Sequence, residues 1–452
     1  MNRLICLAAM AVLLMACSDK APDATVGGAD TEQAAQTALA LIPRTDIFGN
    51  PERSIARISP DGRHVSWLAP KDAVMNVWVA PTNDPGKARV ITNDTYRGIN
   101  EYYWAPNSRY IYFTQDDGGD ENDHVYSSDI GTGEVRDLTP VAEGTRATIE
   151  QVSSARPDHI VIGINARDPQ MFDLYIVDVT TGERELLKEN PGYGAWLIDN
   201  TLAPRYGVQP TPDGGANIVD FEGEVFEVIP PEDFLVTQPI GFNKDNTAIF
   251  LLDSRERDTA ALTRVDIQTG ERVVIAVNDD ADISGVLTDH RSFEPIAYNV
   301  DYLKSSWHGL TDVARADFDT ISARLKGSLS IVSTTDDMSK WVVHEDPTEK
   351  PGAYYIYDRA DGSVSQMLMT RPALSTATLA PMQAVVIEAR DGFELVSYLT
   401  LPANSDSNRD GRPDKPLPMV LAVHGGPWAR DSYGYHPWHQ WLANRGYAVL
   451  SI

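Results

Sequence analysis

The sequence predicts an all-β propeller of seven units followed by the opening of an α/β domain. Three observations predict it. A β-rich unit recurs at roughly 40–50 residues, the size of a propeller blade, between Ile55 and Leu374. Several units close on an Asp-x-x-Thr-Gly or Asp-Gly turn, as at Thr132-Gly133, Thr181-Gly182, Thr269-Gly270 and Asp361-Gly362. After residue 417 the pattern changes to a short apolar run, a glycine pair, a helical stretch and a second apolar run.

From the N-terminus, Arg3 and the apolar run Leu4 to Ala16 have the plan of a signal peptide, taken as residues 1–16. The run is too short for a permanent bilayer helix. Leu14-Met15-Ala16-Cys17 resembles the lipobox of bacterial lipoproteins, in which the cysteine becomes the lipidated N-terminus. Cys17 is therefore the expected lipidation site. An ordinary signal peptide with a chance cysteine is the alternative. Cys6 would leave with the leader, so cysteine catalysis is excluded. Ser18 after Cys17 resembles lipoproteins sent to the outer membrane, which implies a lipid-anchored periplasmic protein of a Gram-negative bacterium. Residues 17–50 then form a polar tether and an N-terminal segment, with Ala34 to Leu41 a helical candidate.

Residues 51–374 hold the repeats. The first unit has Ile58-Ser59-Pro60-Asp61-Gly62, His64 to Leu68 and Val74 to Ala80. The second has Trp104 to Asn107, Tyr110 to Thr114 and His124 to Asp129. The third has Ile160 to Ile164 and Leu174 to Asp178. A fourth is weak around Tyr206 to Ile229. The fifth has Thr247 to Leu252 and Leu262 to Asp266. A sixth is expected across Phe293 to Leu325. The seventh has Lys340 to His344 and Ala353 to Tyr357. Pro fixes φ, Asp bonds its own backbone and Gly accepts positive φ, which is why these turns punctuate the strands. Six or eight blades stays open because units four and six are ragged. Two stacked β-sandwiches are the alternative fold.

Residues 375–452 open the second domain. Ala380 to Glu388 and Phe393 to Leu401 flank Arg390-Asp391-Gly392 as a hairpin. Residues 404–415 are a polar loop. Met419 to Val423 has the length of a buried strand, Tyr435 to Asn444 of a helix stopped by Gly446, and Tyr447 to Ile452 of a second buried strand. Between strand and helix lies His424-Gly425-Gly426-Pro427. Two glycines after a buried strand allow a sharp turn and present an amide to a ligand.

His424 to Arg430, with Arg390-Asp391-Gly392 and the upstream Gly119-Asp120-Glu121-Asn122, resembles the S9 serine peptidases, the prolyl oligopeptidase family, in its acylaminoacyl-peptidase-like branch. The resemblance covers nearly everything after residue 45. It implies the N-terminal portion of such a protein: a propeller, then the first part of an α/β-hydrolase domain. It also implies that the N-terminal segment packs back on that domain. The Gly426 amide would be an oxyanion donor, with His424 and Gly425 supporting the loop. Pro427 has no N–H to offer and would stiffen it. No Gly-x-Ser-x-Gly elbow occurs up to Ile452, so the Ser-Asp-His triad is expected beyond it and this chain alone is expected to be inactive. The implied activity is hydrolysis of short peptides, with the propeller filtering access. A propeller serving as a periplasmic binding protein and an esterase of the same fold are the alternatives.

A formal charge of -27, from 65 acidic against 38 basic residues, argues against a nucleic-acid partner. The acidic loop Asp116, Asp117, Asp120, Glu121 and Asp123 offers oxygen ligands, but not at EF-hand spacing, so a solvated or contact loop is expected. His64, His159 and His308 lack paired spacing, and His436 with His439 lacks a nearby carboxylate. No metal and no cofactor is assigned. Glu101, Tyr102 and Tyr103 resemble a rim cluster that could receive a peptide amine, but an ordinary strand start is the expected reading. Trp428, Trp438 and Trp441 are expected to pack the helix, and Ser451 to have its hydroxyl satisfied within a buried strand.

Overall fold

In the computed structural model, residues 39–426 and 428–452 are described. The leader, Cys17 and Pro427 lie outside them. Leu41–Ile452 form one compact unit. Helix is absent from the described end of the 34–41 stretch and begins instead at Arg44–Phe48.

Among the described residues, seven antiparallel sheets follow one another along the chain, each a meander of neighbouring strands. Their spans are 54–90, 102–137, 147–188, 195–229, 238–276, 283–309 and 328–369. Six have four strands and the sixth has three. Apolar residues from each sheet interleave with those of the next. Val161 and Leu174 of the third meet Ile198 and Leu202 beside the fourth. The first sheet packs on the seventh in the same way: Ala56, Ile58, Val65 and Trp67 share a buried cluster with Val342, Tyr354 and Leu368. Backbone joins side chain across this seam, with Ile55 N–H donating to Tyr354 Oη at 2.9 Å and Ile58 N–H to Ser333 Oγ at 2.8 Å. Seven sheets packed face to face in chain order, first against last, fit a propeller domain.

The recurrent turn has one geometry. Asp129 Oδ1 accepts from the Gly131 and Thr132 amides at 2.7 and 3.2 Å, and Gly133 N–H returns to the Asp129 carbonyl at 2.7 Å. Asp178 and Asp266 repeat it, with Gly182 and Gly270 at φ +81° and +69°. The same turn occurs at Asp289, but there Phe293 takes the left-handed position at φ +56°. No glycine marks it, which is why the sixth unit reads poorly in sequence. The sixth unit, expected across Phe293 to Leu325, has its strands at 283–309, and the rest of that span is the helix Asp312–Arg324. Thr311 caps it by accepting the Ala314 N–H at 3.1 Å. Ala314, Phe318 and Ile321 are buried, and Phe318 stacks on Trp307 at 5.5 Å.

The eighth sheet is mixed. Met382–Glu388 pairs antiparallel with Glu394–Thr400 about the turn at Gly392, φ +88°. Glu394–Thr400 pairs antiparallel with Ala448–Ser451, which runs parallel to Met419–Ala422. The crossover carries the helix Pro437–Ala443. Met419–Ala422 is not the buried strand expected. It lies at the sheet edge, and Met419, Leu421 and the following Val423 are 57 %, 50 % and 70 % exposed. Among the described residues nothing covers that face.

The N-terminal segment packs against residues 374–379 and the region of the helix Pro437–Ala443. Ile42 and Ile47 are buried with Leu374, Leu379, Tyr435 and Trp441. Ile42 N–H donates to Asn444 Oδ1 at 2.8 Å, and Arg445 Nη2 donates to the Ile42 carbonyl at 3.1 Å. Phe48 meets Trp438 and Trp441 edge-on at 5.1 and 5.7 Å. Trp428 does not join this packing and is 81 % exposed.

Candidate functional site

The Gly425–Gly426 turn leaves the carboxyl end of Met419–Ala422. Gly426 has φ +115°, and a Cβ there would come within 3.3 Å of Ala429 Cβ and the Trp428 nitrogen. A side chain at 426 is strained by conformation and crowded by its neighbours. Gly425 has open space around it. His424 Nδ1 lies 2.9 Å from the Gly425 carbonyl. A carbonyl only accepts, so Nδ1 is the donor in this contact.

Past the turn, residues 430–435 are fastened to the sixth and seventh sheets. The Arg430 guanidinium donates to the carbonyls of Asp301 and Tyr302, the latter at 2.5 Å, and to Tyr398 Oη at 2.9 Å. Ser328 Oγ donates to the Tyr433 carbonyl at 2.6 Å. Ser432 Oγ donates to Asp301 Oδ2 at 3.3 Å. Tyr435 N–H donates to Asp346 Oδ2 at 3.2 Å, with Gly434 pressed against the same carboxyl. Burial, and then Glu345, push the Asp346 carboxyl up to about 7. A cavity of about 640 Å³ opens beside this junction, between Tyr302, Lys304 and His308 on one side and Met382, Ala384 and Tyr433 on the other. The glycine turn was legible in sequence. Arg430 was noted only as part of a motif, and Asp346 gave no local signal, because its burial depends on an element 90 residues away.

His436 and His439 come together with ring centroids 4.8 Å apart, yet they are no ligand pair. His439 is fully buried, with Nδ1 at 2.8 Å from Thr400 Oγ1 and Nε2 at 2.8 Å from Ser451 Oγ. Both nitrogens are occupied by hydroxyls, and burial, then His436, lowers its pKa to about 4. The ring is a neutral bridge that pins the helix to two strands. It satisfies Ser451, as expected of a hydroxyl in that strand.

The acidic loop is tied to itself and to arginines. Asp120 Oδ1 accepts the Asp117 and Asn122 amides at 3.2 and 3.1 Å, Asp116 faces Arg97 at 3.7 Å, and Asp123 faces Arg146 at 4.0 Å. The rim candidates separate. Tyr102 is a core residue with no exposed surface, its hydroxyl donating to the Ile55 carbonyl at 2.7 Å and meeting Ser66 Oγ at 2.9 Å. Tyr103 is 36 % exposed and donates to Glu101 Oε1. Tyr103 also lines a second cavity of about 300 Å³, into which the first strands of several sheets converge, bringing Arg57, Trp104, Val152 and Thr334 together.

No protein-family model matches the chain. It is 42 % identical over 442 residues to dipeptidyl aminopeptidase BIII of Pseudoxanthomonas mexicana, covering 95 % of this chain and 64 % of that protein. It is 28 % identical over 449 residues to dipeptidyl peptidase family member 6 of Caenorhabditis elegans, covering 92 % and 60 %. The chain thus spans less than two thirds of the length of both relatives. Among solved structures, the fold is shared with a puromycin-hydrolyzing peptidase of Mycobacterium tuberculosis at TM-score 0.61 and 14 % identity, covering 92 % of this chain and 68 % of that one. It is shared too with a prolyl endopeptidase at TM-score 0.60 and 12 % identity, covering 90 % and 62 %.

Proposed function

We infer that this chain, homologous to the N-terminal part of dipeptidyl aminopeptidases and S9-family peptidases, belongs to a serine-type peptidase acting on short peptides. Residues 51–374 are its seven-bladed propeller, a count supported by the seven sheets and the first-to-seventh seam. Residues 375–452 open its α/β-hydrolase domain, a reading supported by the parallel pair 419–422 and 448–451 with its helical crossover. The dipeptidyl names of the relatives make release of dipeptides from a free N-terminus the first activity to assay.

One observation carries the reading: a left-handed Gly426 at the carboxyl end of a strand in that parallel pair. When a serine alkoxide attacks a peptide carbonyl, negative charge grows on the oxygen, and a fixed backbone N–H facing that point stabilises it without reorganising. Gly426 supplies this amide. The Gly425 carbonyl held by His424 limits the turn's freedom. Serine, aspartate and histidine lie beyond Ile452 in the parent protein, where the hydrolase order of Ser, Asp, His places them. Residues 1–16 are a signal peptide and Cys17 the lipidated anchor, which puts the enzyme in the periplasm on the outer membrane.

The test is turnover of a chromogenic dipeptidyl substrate by the longer parent and by the 452-residue chain. Turnover by the parent, blocked by an active-site serine probe and missing from the short chain, supports the reading. Probe-resistant turnover by either protein overturns it. A parent that binds peptides without cleaving them supports a binding protein instead.

A further inference from the structure

Among the described residues Arg57 is a cation without a carboxylate partner, in a strongly acidic protein. It sits in Ser54–Ile58, the first strand of the first sheet, an otherwise apolar Ile-Ala-Arg-Ile context. Its side chain enters the 300 Å³ cavity, which the first, second, third, sixth and seventh sheets and their turns all line. The guanidinium lies over the Tyr103 ring at 4.8 Å and the Tyr102 ring at 5.7 Å. Among the described residues its one hydrogen bond is from Nη1 to the Val332 carbonyl at 3.3 Å. Nε is shielded from solvent and has no acceptor among the described residues.

The acids nearby are engaged elsewhere. Asp336, in the same wall, faces Arg291 at 3.6 Å, and Glu101 accepts from Tyr103. His290 is turned to Thr334 Oγ1 at 2.9 Å, and burial lowers its pKa, so it adds no positive charge. Trp104, Pro60, Pro106 and Phe293 make the remaining wall largely apolar. A guanidinium stacked on an aromatic ring, with donors unspent in an apolar cavity, is preorganised for a planar two-oxygen anion.

We propose that the Arg57 cavity is a subsite for a peptide carboxylate, which the guanidinium holds through two parallel N–H···O bonds while the apolar wall takes the neighbouring side chain. The inference rests on the peptidase reading for its ligand class. It adds a reason why short peptides would be held at the centre of the propeller.

The experiment is calorimetric titration of the 452-residue chain with Gly-Gly-Phe as free acid, with its C-terminal amide, and with the amide of Gly-Asp-Phe. The free acid is expected to bind about tenfold or more tighter than the plain amide. The Asp peptide shows whether a side-chain carboxylate also serves. Arg57→Gln should bring the acid-to-amide ratio close to one, and Arg57→Lys should keep part of it. Should Arg57→Gln melt early, Tyr103→Glu places a competing carboxylate at the exposed side of the cavity and should abolish the preference. Equal binding of acid and amide, a preference that survives in folded Arg57→Gln or Tyr103→Glu, or no binding at millimolar peptide overturns the proposal. Failure of the peptidase reading looks different: the parent would not cleave, while the acid preference and its loss in Arg57→Gln persisted.

Discussion

His439 stands between two strands, its Nε2 2.8 Å from Ser451 Oγ and its other nitrogen on Thr400. Asp346, on the other side of the same helix's entry, holds Tyr435 N–H. Burial acts on the two groups in opposite directions. In the fold His439 resists protonation down to about pH 4, whereas an unfolded histidine takes its proton near 6.5. The unfolded chain binds more protons in that window, so this group's contribution is full above about pH 6.5 and lost as pH falls toward 4, on the order of 3 kcal/mol. Asp346 keeps its proton up to about pH 7, against about 4 when unfolded. The folded state binds more protons there, so its contribution falls as pH rises from about 4 to 7.

The wild-type profile between pH 4 and 7 therefore contains two opposed slopes. Relative to wild type, His439→Gln should be less destabilised at pH 5 than at pH 7.5. Asp346→Asn should show the reverse. Urea midpoints at the two pH values measure both. Variants whose stability runs parallel to wild type across this range would contradict the assignment.

At Gly426 a branched side chain meets both an unfavourable φ and the Ala429 methyl. On the proposed oxyanion role, Gly426→Val in the longer parent should lower kcat by roughly a hundredfold, the cost of one such donor, with a smaller rise in KM. Gly425→Ala, with open space around it, should be far milder. Steady-state kinetics on the three proteins decide it, and a folded valine variant with normal kcat would remove the role.

Tyr102→Phe separates core from rim. It leaves the Ile55 carbonyl without its 2.7 Å donor, so stability should drop by about 1–3 kcal/mol. Peptide affinity should not change, because the ring has no exposed surface. A change in affinity with unchanged stability would return Tyr102 to the rim.

The seam between first and seventh sheets makes a further prediction. Leu368→Ala removes a buried side chain from the cluster that joins them and should cost about 2–5 kcal/mol. Thermal unfolding gives the value. A cost below 1 kcal/mol would mean that the seam contributes little.

Legibility in the sequence followed locality. Turns made by one aspartate and one glycine announce themselves, and the sheets they close were found. Phe293 in a glycine's place blurred the turn of the sixth sheet, and the helix at Asp312–Arg324 blurred its end, because that helix is held by Phe318 packing on Trp307 and Trp341. The glycine turn was visible, but the exposure of Met419 and Leu421 depends on which elements cover that face. In the sequence Arg57 is one charged residue between Ala56 and Ile58, with no motif around it. Only the convergence of several sheets gives it a cavity.

The docking of Ile42 against Asn444 and Arg445 joins residues about 400 positions apart. During synthesis that partner leaves the ribosome about 400 residues after Ile42. At about 5–20 residues per second, the N-terminal segment waits tens of seconds before its groove exists. Until then Ile42 and Ile47 lack the apolar partners that bury them, so this docking completes only after the propeller sheets have been made.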